Sequence, residues 1–179
     1  RALLVAVGAS HLVGGQADDL AAEQDTKPSE PAHPKTAGCQ DDTLDWSELI
    51  DFPQLQHLES IHRRKTGALF SVSLDLGAIL VDANEKERHL LNSYSAAIGL
   101  AFQVVDDLLD YTAEATTLGK RTGKDADRGK LTYPGLLGLD GARQKAQQLV
   151  ASAQRDAGKF GDSGRRLRLL ADFVLERSH

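Results

Sequence analysis

Three carboxylates, Asp106, Asp107 and Asp110, stand in Gly99–Tyr111 (GLAFQVVDDLLDY), a run that otherwise reads as a buried helix. At about 100° per residue they share one arc of about 100° with Gln103. Phe102, Val104, Val105, Leu108 and Leu109 are expected on the opposite side. Like charges one turn apart weaken a helix, and partly burying them costs more unless something compensates. Hard divalent cations take oxygen ligands and commonly bridge carboxylates to phosphates. The arrangement therefore suits one wall of a Mg²⁺–diphosphate site. A solvated acidic face is the plainer alternative; the apolar flanks and Gln103 on the same stripe favour the site.

A lysine adds to this. Leu58, Ile61, Leu69, Val72, Leu76 and Ile79 fall within about 80° on one helical face, and Lys65 lies among them. A cation in a core-facing stripe needs an anionic partner, because unpaired burial would discharge it. An anionic ligand would serve, with the Thr66 hydroxyl beside it. Asp75 is the structural alternative, and so is snorkelling of the ammonium to water. Upstream, GQADDL (Gly15–Leu20) puts Gln16 and Asp19 on one face, with Asp18 turned to solvent. By themselves two polar side chains there are unremarkable, and a polar cluster at a helix end is the better account of that pair. Downstream, LGKRTGKDADRGK (Leu118–Lys130) gathers Lys120, Arg121, Lys124, Arg128 and Lys130 among glycines. Such a loop can place point charges and close backbone on a phosphate, and it starts where it can fold over the carboxylates as a lid. A merely solvated loop is the alternative.

The elements that must position these groups read as helices throughout, an all-α chain forming one domain over residues 1–179. Helices are expected over Ala2–Leu20, about Leu55–Val81, about Glu85–Tyr111, Tyr133–Leu139, about Asp140–Lys159 and Arg165–Arg177. Thr132 and Pro134 mark the start of the fourth. Between Gln24 and Asp42, Pro28, Pro31 and Pro34 read as a mobile surface loop. The 179 residues are 41% hydrophobic and 26% charged, ordinary for a soluble domain with its own core. A net charge of −5 argues against nucleic-acid binding. No apolar run reaches the length of a membrane span, no signal peptide stands out, and the single cysteine, Cys39, forms no intrachain disulfide. A cytoplasmic location is expected. With no methionine and a first segment that opens in mid-pattern, the sequence reads as the C-terminal part of a longer protein.

Taken together, GGQADDL, HRRKTGALF, GLAFQVVDDLLD, LGKRTGKDADRGKLTYPGLLGL and ADFVLERSH resemble the trans-isoprenyl diphosphate synthases, the polyprenyl synthetases, near bacterial farnesyl and geranylgeranyl diphosphate synthases. FQVVDDLLD looks like that family's second aspartate-rich motif. The resemblance implies an isoprenoid-synthase helical bundle and a prenyltransferase condensing an allylic diphosphate with isopentenyl diphosphate to a short-chain product. Asp106, Asp107 and Asp110 would serve Mg²⁺, or Mn²⁺ in its place, with Asp106 the direct ligand. Lys65, Lys120 and Lys130 would bind diphosphate. Thr66 and Gln103 would line the reacting centre, and Gln16 and Asp19 would support Lys65 and the hydrocarbon pocket. A homodimer is expected by the same analogy.

The family's first aspartate-rich motif, and with it the basic residues for isopentenyl diphosphate, is not in this sequence. A non-catalytic subunit or fragment of such a synthase therefore stays open. A class I terpene cyclase would share the metal-bound carboxylates, but the Lys65–Thr66 pair and the basic glycine loop argue against it.

Overall fold

In a computed structural model, residues 11–25, 53–117 and 131–177 are described. Helix α1 spans Leu12–Asp25 and α2 Pro53–His62. A π-helical turn, Arg63–Gly67, links α2 directly to α3, Ala68–Leu80. The long α4 covers Glu85–Thr117 and α5 Tyr133–Gly158. A 3₁₀ turn, Gly161–Gly164, leads into α6, Arg165–Glu176. All elements among the described residues are helical, as expected for an all-α chain. None of these helices is long and apolar enough to cross a membrane. Residues 2–10 of the first expected helix, and 26–42 of the proline-bearing segment with Cys39, lie outside the described residues.

The helix ends follow their local chemistry. Asn84 and Glu87 cap α4 reciprocally: the Glu87 N–H donates to Asn84 Oδ1 (3.0 Å) and the Asn84 N–H to Glu87 Oε2 (2.9 Å). Thr132 caps α5 by accepting from the Gly135 N–H at 3.2 Å, with Pro134 in the first turn. Gly138, at φ 72° and ψ 169°, then bends α5 in a backbone region essentially reserved for glycine. That bend is the break expected between Leu139 and Asp140.

The core is built on α4. Tyr94, Ile98, Ala101, Val104, Val105 and Leu108 are buried there. Against them α5 presents Ala142, Ala146, Val150, Ala153 and Ala157, a stripe at helical spacing whose small side chains let the two axes approach closely. Helix α6 closes the other side with Ala171 and Val174, and the Tyr94 hydroxyl donates to the Leu167 carbonyl at 2.8 Å. Burial pushes that phenol up to about 12.

One expected face needs correction. Leu58, Ile61 and Val72 are buried, whereas Leu69, Leu76 and Ile79 are 47%, 40% and 52% exposed. The π turn adds a residue to the winding and rotates everything after it by about 100° relative to a straight helix. Phe70 and Leu74 consequently pack on the α4 core instead.

Because the α4–α5 contact depends on small side chains, Ala146→Leu should destabilise the fold by about 1–3 kcal/mol. Chemical denaturation would measure this, and a loss below a few tenths would mean that the interface is loose.

Candidate functional site

The π turn is held between two helices by missing side chains. A Cβ on Gly15 of α1 would lie 2.5 Å from the Lys65 backbone nitrogen and 2.9 Å from its Cα. A Cβ on Gly99 of α4 would lie 3.1 Å from the Gly67 Cα. Both helices therefore cross the turn at backbone contact. A widened turn also aims its side chains where a regular helix would not, which is why such turns recur at functional sites.

This packing brings opposite charges together in two adjacent pairs. Lys65 Nζ donates to Asp19 Oδ2 at 2.5 Å, and the Arg64 guanidinium pairs with Asp18. Asp19 is buried, and Lys65 and Thr66 are half-buried. Two expectations are thereby corrected. Asp18 is tied to Arg64 and not simply turned to solvent. Asp75 pairs with Arg88 at 2.6 Å, so the anion on Lys65 comes from α1 and not from its own helix. Gln16 sits on the same helix as Asp19 but is exposed.

On α4 the three aspartates part company. Asp106 is half-buried and lies close enough to Lys65 and Asp110 to feel both charges. Its carboxyl is raised above the ordinary value, first by burial and secondarily by Asp110, while Arg177, Lys65 and the Arg177 hydrogen bond pull it down. Asp110 is exposed one turn further on. Asp107, expected beside them as a metal ligand, is buried and accepts the Tyr133 N–H through Oδ2 at 3.0 Å. It thus satisfies a donor at the start of α5, where the helix dipole also favours a negative charge. Gln103 is buried one turn before Asp107, on the stretch that begins at Gly99.

A residue that the spacing did not reveal completes the cluster. Arg177, just past α6, donates from Nη2 to Asp106 Oδ1 at 3.0 Å. Its guanidinium carbon stands 4.5 Å from the centre of the Phe102 ring. Phe102 is accordingly beside Asp106, as a four-residue separation dictates, and not on the opposite side. No local pattern pointed to Arg177, because its partner is 71 positions away in the chain. Lys120 and Lys130 lie outside the described residues.

Among the described residues no group of three or more His, Cys, Asp or Glu could hold a metal ion by itself. Asp106 and Asp110 nevertheless fit a hard cation of the Mg²⁺ kind, which uses one or two carboxylates and fills its shell with water and phosphate oxygens. Asp106 and Asp110, with the Lys65 ammonium within electrostatic range of Asp106, are a residue set that could bind an anion with the help of a metal.

A family model described as Polyprenyl synthetase matches residues 9–163. The farnesyl diphosphate synthase of Escherichia coli strain K12 is 40% identical over 144 residues, covering 78% of this chain and 48% of that protein. A crystal structure of a putative farnesyl-diphosphate synthase from Marinomonas sp. MED121 superposes with a TM-score of 0.70 at 31% identity, over 97% of this chain and 50% of that one. A Helicobacter pylori geranyltransferase, described as complexed with magnesium and isoprenyl diphosphate, superposes with a TM-score of 0.61 at 25% identity, over 97% and 50%. The chain spans about half the length of the curated relatives it matches.

Two outcomes follow from this geometry. Gly15→Ala should force α1 off the π turn and cost about 1–3 kcal/mol of stability, seen as a lower denaturation midpoint; an unchanged midpoint would mean that the crossing is not tight. Asp106→Asn, studied in chelator, should stabilise the fold at neutral pH. A raised carboxyl pKa favours the folded state at low pH and loses that advantage as pH rises through the folded value. The mutant's gain should therefore vanish below the ordinary aspartate pKa of 3.8. Denaturation curves across that range test the sign, and a mutant less stable at neutral pH would contradict it.

Proposed function

The chain belongs to the polyprenyl synthetase family, and on that premise we propose that it forms the diphosphate-ionising wall of a prenyltransferase. The substrates would be an allylic diphosphate and isopentenyl diphosphate, and the product a short-chain prenyl diphosphate of farnesyl or geranylgeranyl size. The observation that carries the reading is Lys65, held by Asp19 on a π turn and within electrostatic range of Asp106. An ammonium opposite a carboxylate pair is suited to a dianionic group that a cation bridges to the protein.

In this reading Asp106, with Asp110, holds Mg²⁺, or Mn²⁺ in its place. The metal would neutralise charge that develops on the departing diphosphate. Lys65 contributes a fixed positive charge to the same oxygens, and this stabilisation costs no reorganisation because Asp19 has already oriented it. Lys120 and Lys130 are proposed as further diphosphate ligands. Thr66 and Gln103 are proposed beside the reacting carbon, where oxygen atoms can face a developing carbocation. Asp107 is reassigned to anchoring α5, which fixes the acidic stretch relative to the bundle. We propose a homodimer as the assembled form, with the outward apolar edge of α3, Leu69, Leu76, Ile79 and Leu80, as the surface available to a second copy.

The test is turnover of isopentenyl diphosphate with an allylic diphosphate by the intact protein. Asp106→Ala and Lys65→Ala should each lower kcat by about 10²-fold or more while leaving helicity intact, as expected when one group that stabilises developing charge is removed. Chelation should abolish turnover. Unchanged turnover in Asp106→Ala would reject the metal role. An inactive intact protein that still binds a partner subunit would favour a non-catalytic subunit.

A further inference from the structure

Each cation around the turn has a specific counter-ion. Lys65 uses Asp19 and Arg64 uses Asp18, both from α1. Arg177 uses Asp106, the carboxylate assigned to the metal. Its seat on α4 has two points. The Asp106 oxygen accepts at 3.0 Å, and the Phe102 ring, one turn earlier, supports the guanidinium at 4.5 Å. From the other side, Ala171 and Val174 bury α6 in the core and deliver Arg177 to the same place. Side-chain exposures of 30% for Arg177 and 37% for Asp106 leave the pair partly desolvated, so charges there are incompletely screened. A divalent cation and the guanidinium would stand side by side on one carboxylate, and their repulsion opposes joint occupancy.

We infer that Arg177 is a built-in counter-cation for Asp106, seated on Phe102, that must leave this carboxylate for a divalent cation to bind there. The device rests on the assignment of Asp106 as a metal ligand. It makes metal affinity depend on a residue that does not touch the metal, and it couples cation binding to release of Arg177 from the Phe102 ring. The guanidinium also spares Asp106 an uncompensated charge between metal-binding events, which the buried side of α4 would otherwise penalise. Loss of the arginine, or of the ring beneath it, should therefore favour the metal.

Calorimetric titration of Mg²⁺ alone into the intact protein tests this. Arg177→Gln and Phe102→Leu should each tighten Mg²⁺ binding roughly two- to fivefold, the range expected of a partly exposed ion pair. Phe102→Leu changes no charge, so tightening there separates displacement of Arg177 from a general electrostatic effect. Asp106→Asn should weaken Mg²⁺ binding and erase the effect of Arg177→Gln. In the wild type the Arg177 Nε–H resonance should shift as Mg²⁺ is added. If Asp106→Asn leaves Mg²⁺ affinity unchanged, the metal assignment fails and the counter-cation role fails with it. If Asp106→Asn weakens binding but Arg177→Gln and Phe102→Leu leave it unchanged, the metal assignment stands and the counter-cation role is overturned. Should Arg177→Gln not fold, Phe102→Leu and the resonance decide alone.

Discussion

Backbone contact at the π turn is the constraint on which the site depends. Gly15 and Gly99 bring α1 and α4 against Arg63–Gly67, each at a distance that a β-carbon would violate or strain. That approach sets Asp19 against Lys65 and Asp18 against Arg64. The extra residue of the same turn rotates α3, so that Phe70 and Leu74 reach the α4 core while Leu69, Leu76 and Ile79 turn outward. A regular helix through the same residues would pack differently and would aim Lys65 elsewhere.

Electrostatics then divides the acidic stretch of α4 by depth. Asp107 is the buried member, and its carboxylate is committed to the Tyr133 N–H at the start of α5. Asp106 is half-buried, raised above its ordinary pKa by that burial, and compensated by Arg177 and Lys65. Asp110 is exposed. Three carboxylates of identical chemistry thus acquire a buried, a half-buried and an exposed position from their place on one helix. The cations differ as well: Lys65 and Arg64 answer to α1, Arg63 to Glu59 of α2 and Arg177 to α4.

Much of this was legible in the sequence. Hydrophobic periodicity located the helices, and Thr132 with Pro134 marked the start of α5, because capping chemistry is local. Asp106 and Lys65 stand out as charges in apolar stripes, whereas Asp19, at a helix end, does not; the structure pairs Asp19 with Lys65 and sets Lys65 within electrostatic range of Asp106. Apart from Phe102, which a regular wheel already places beside Asp106, the errors have two causes. A wheel drawn at constant pitch passes straight through Arg63–Gly67, so it misassigned Leu69, Leu76 and Ile79. Partners from distant elements are equally invisible to it. Asp75 was a reasonable counter-ion for Lys65 by proximity in sequence, yet the actual one lies 46 positions away. Arg177 is more distant still from Asp106, and Asp107 was grouped with its neighbours because nothing local shows that the α5 N terminus meets it.

The central claim is that Lys65 and Asp106 face one another across a diphosphate held by a metal. It is tested most directly by diffraction from crystals of the intact protein grown with Mn²⁺ and inorganic pyrophosphate, using the anomalous signal of manganese. The account predicts a manganese peak at the Asp106 carboxylate, with pyrophosphate oxygens between that ion and the Lys65 ammonium. Manganese bound elsewhere with Asp106 unligated, or pyrophosphate remote from Lys65, would contradict it.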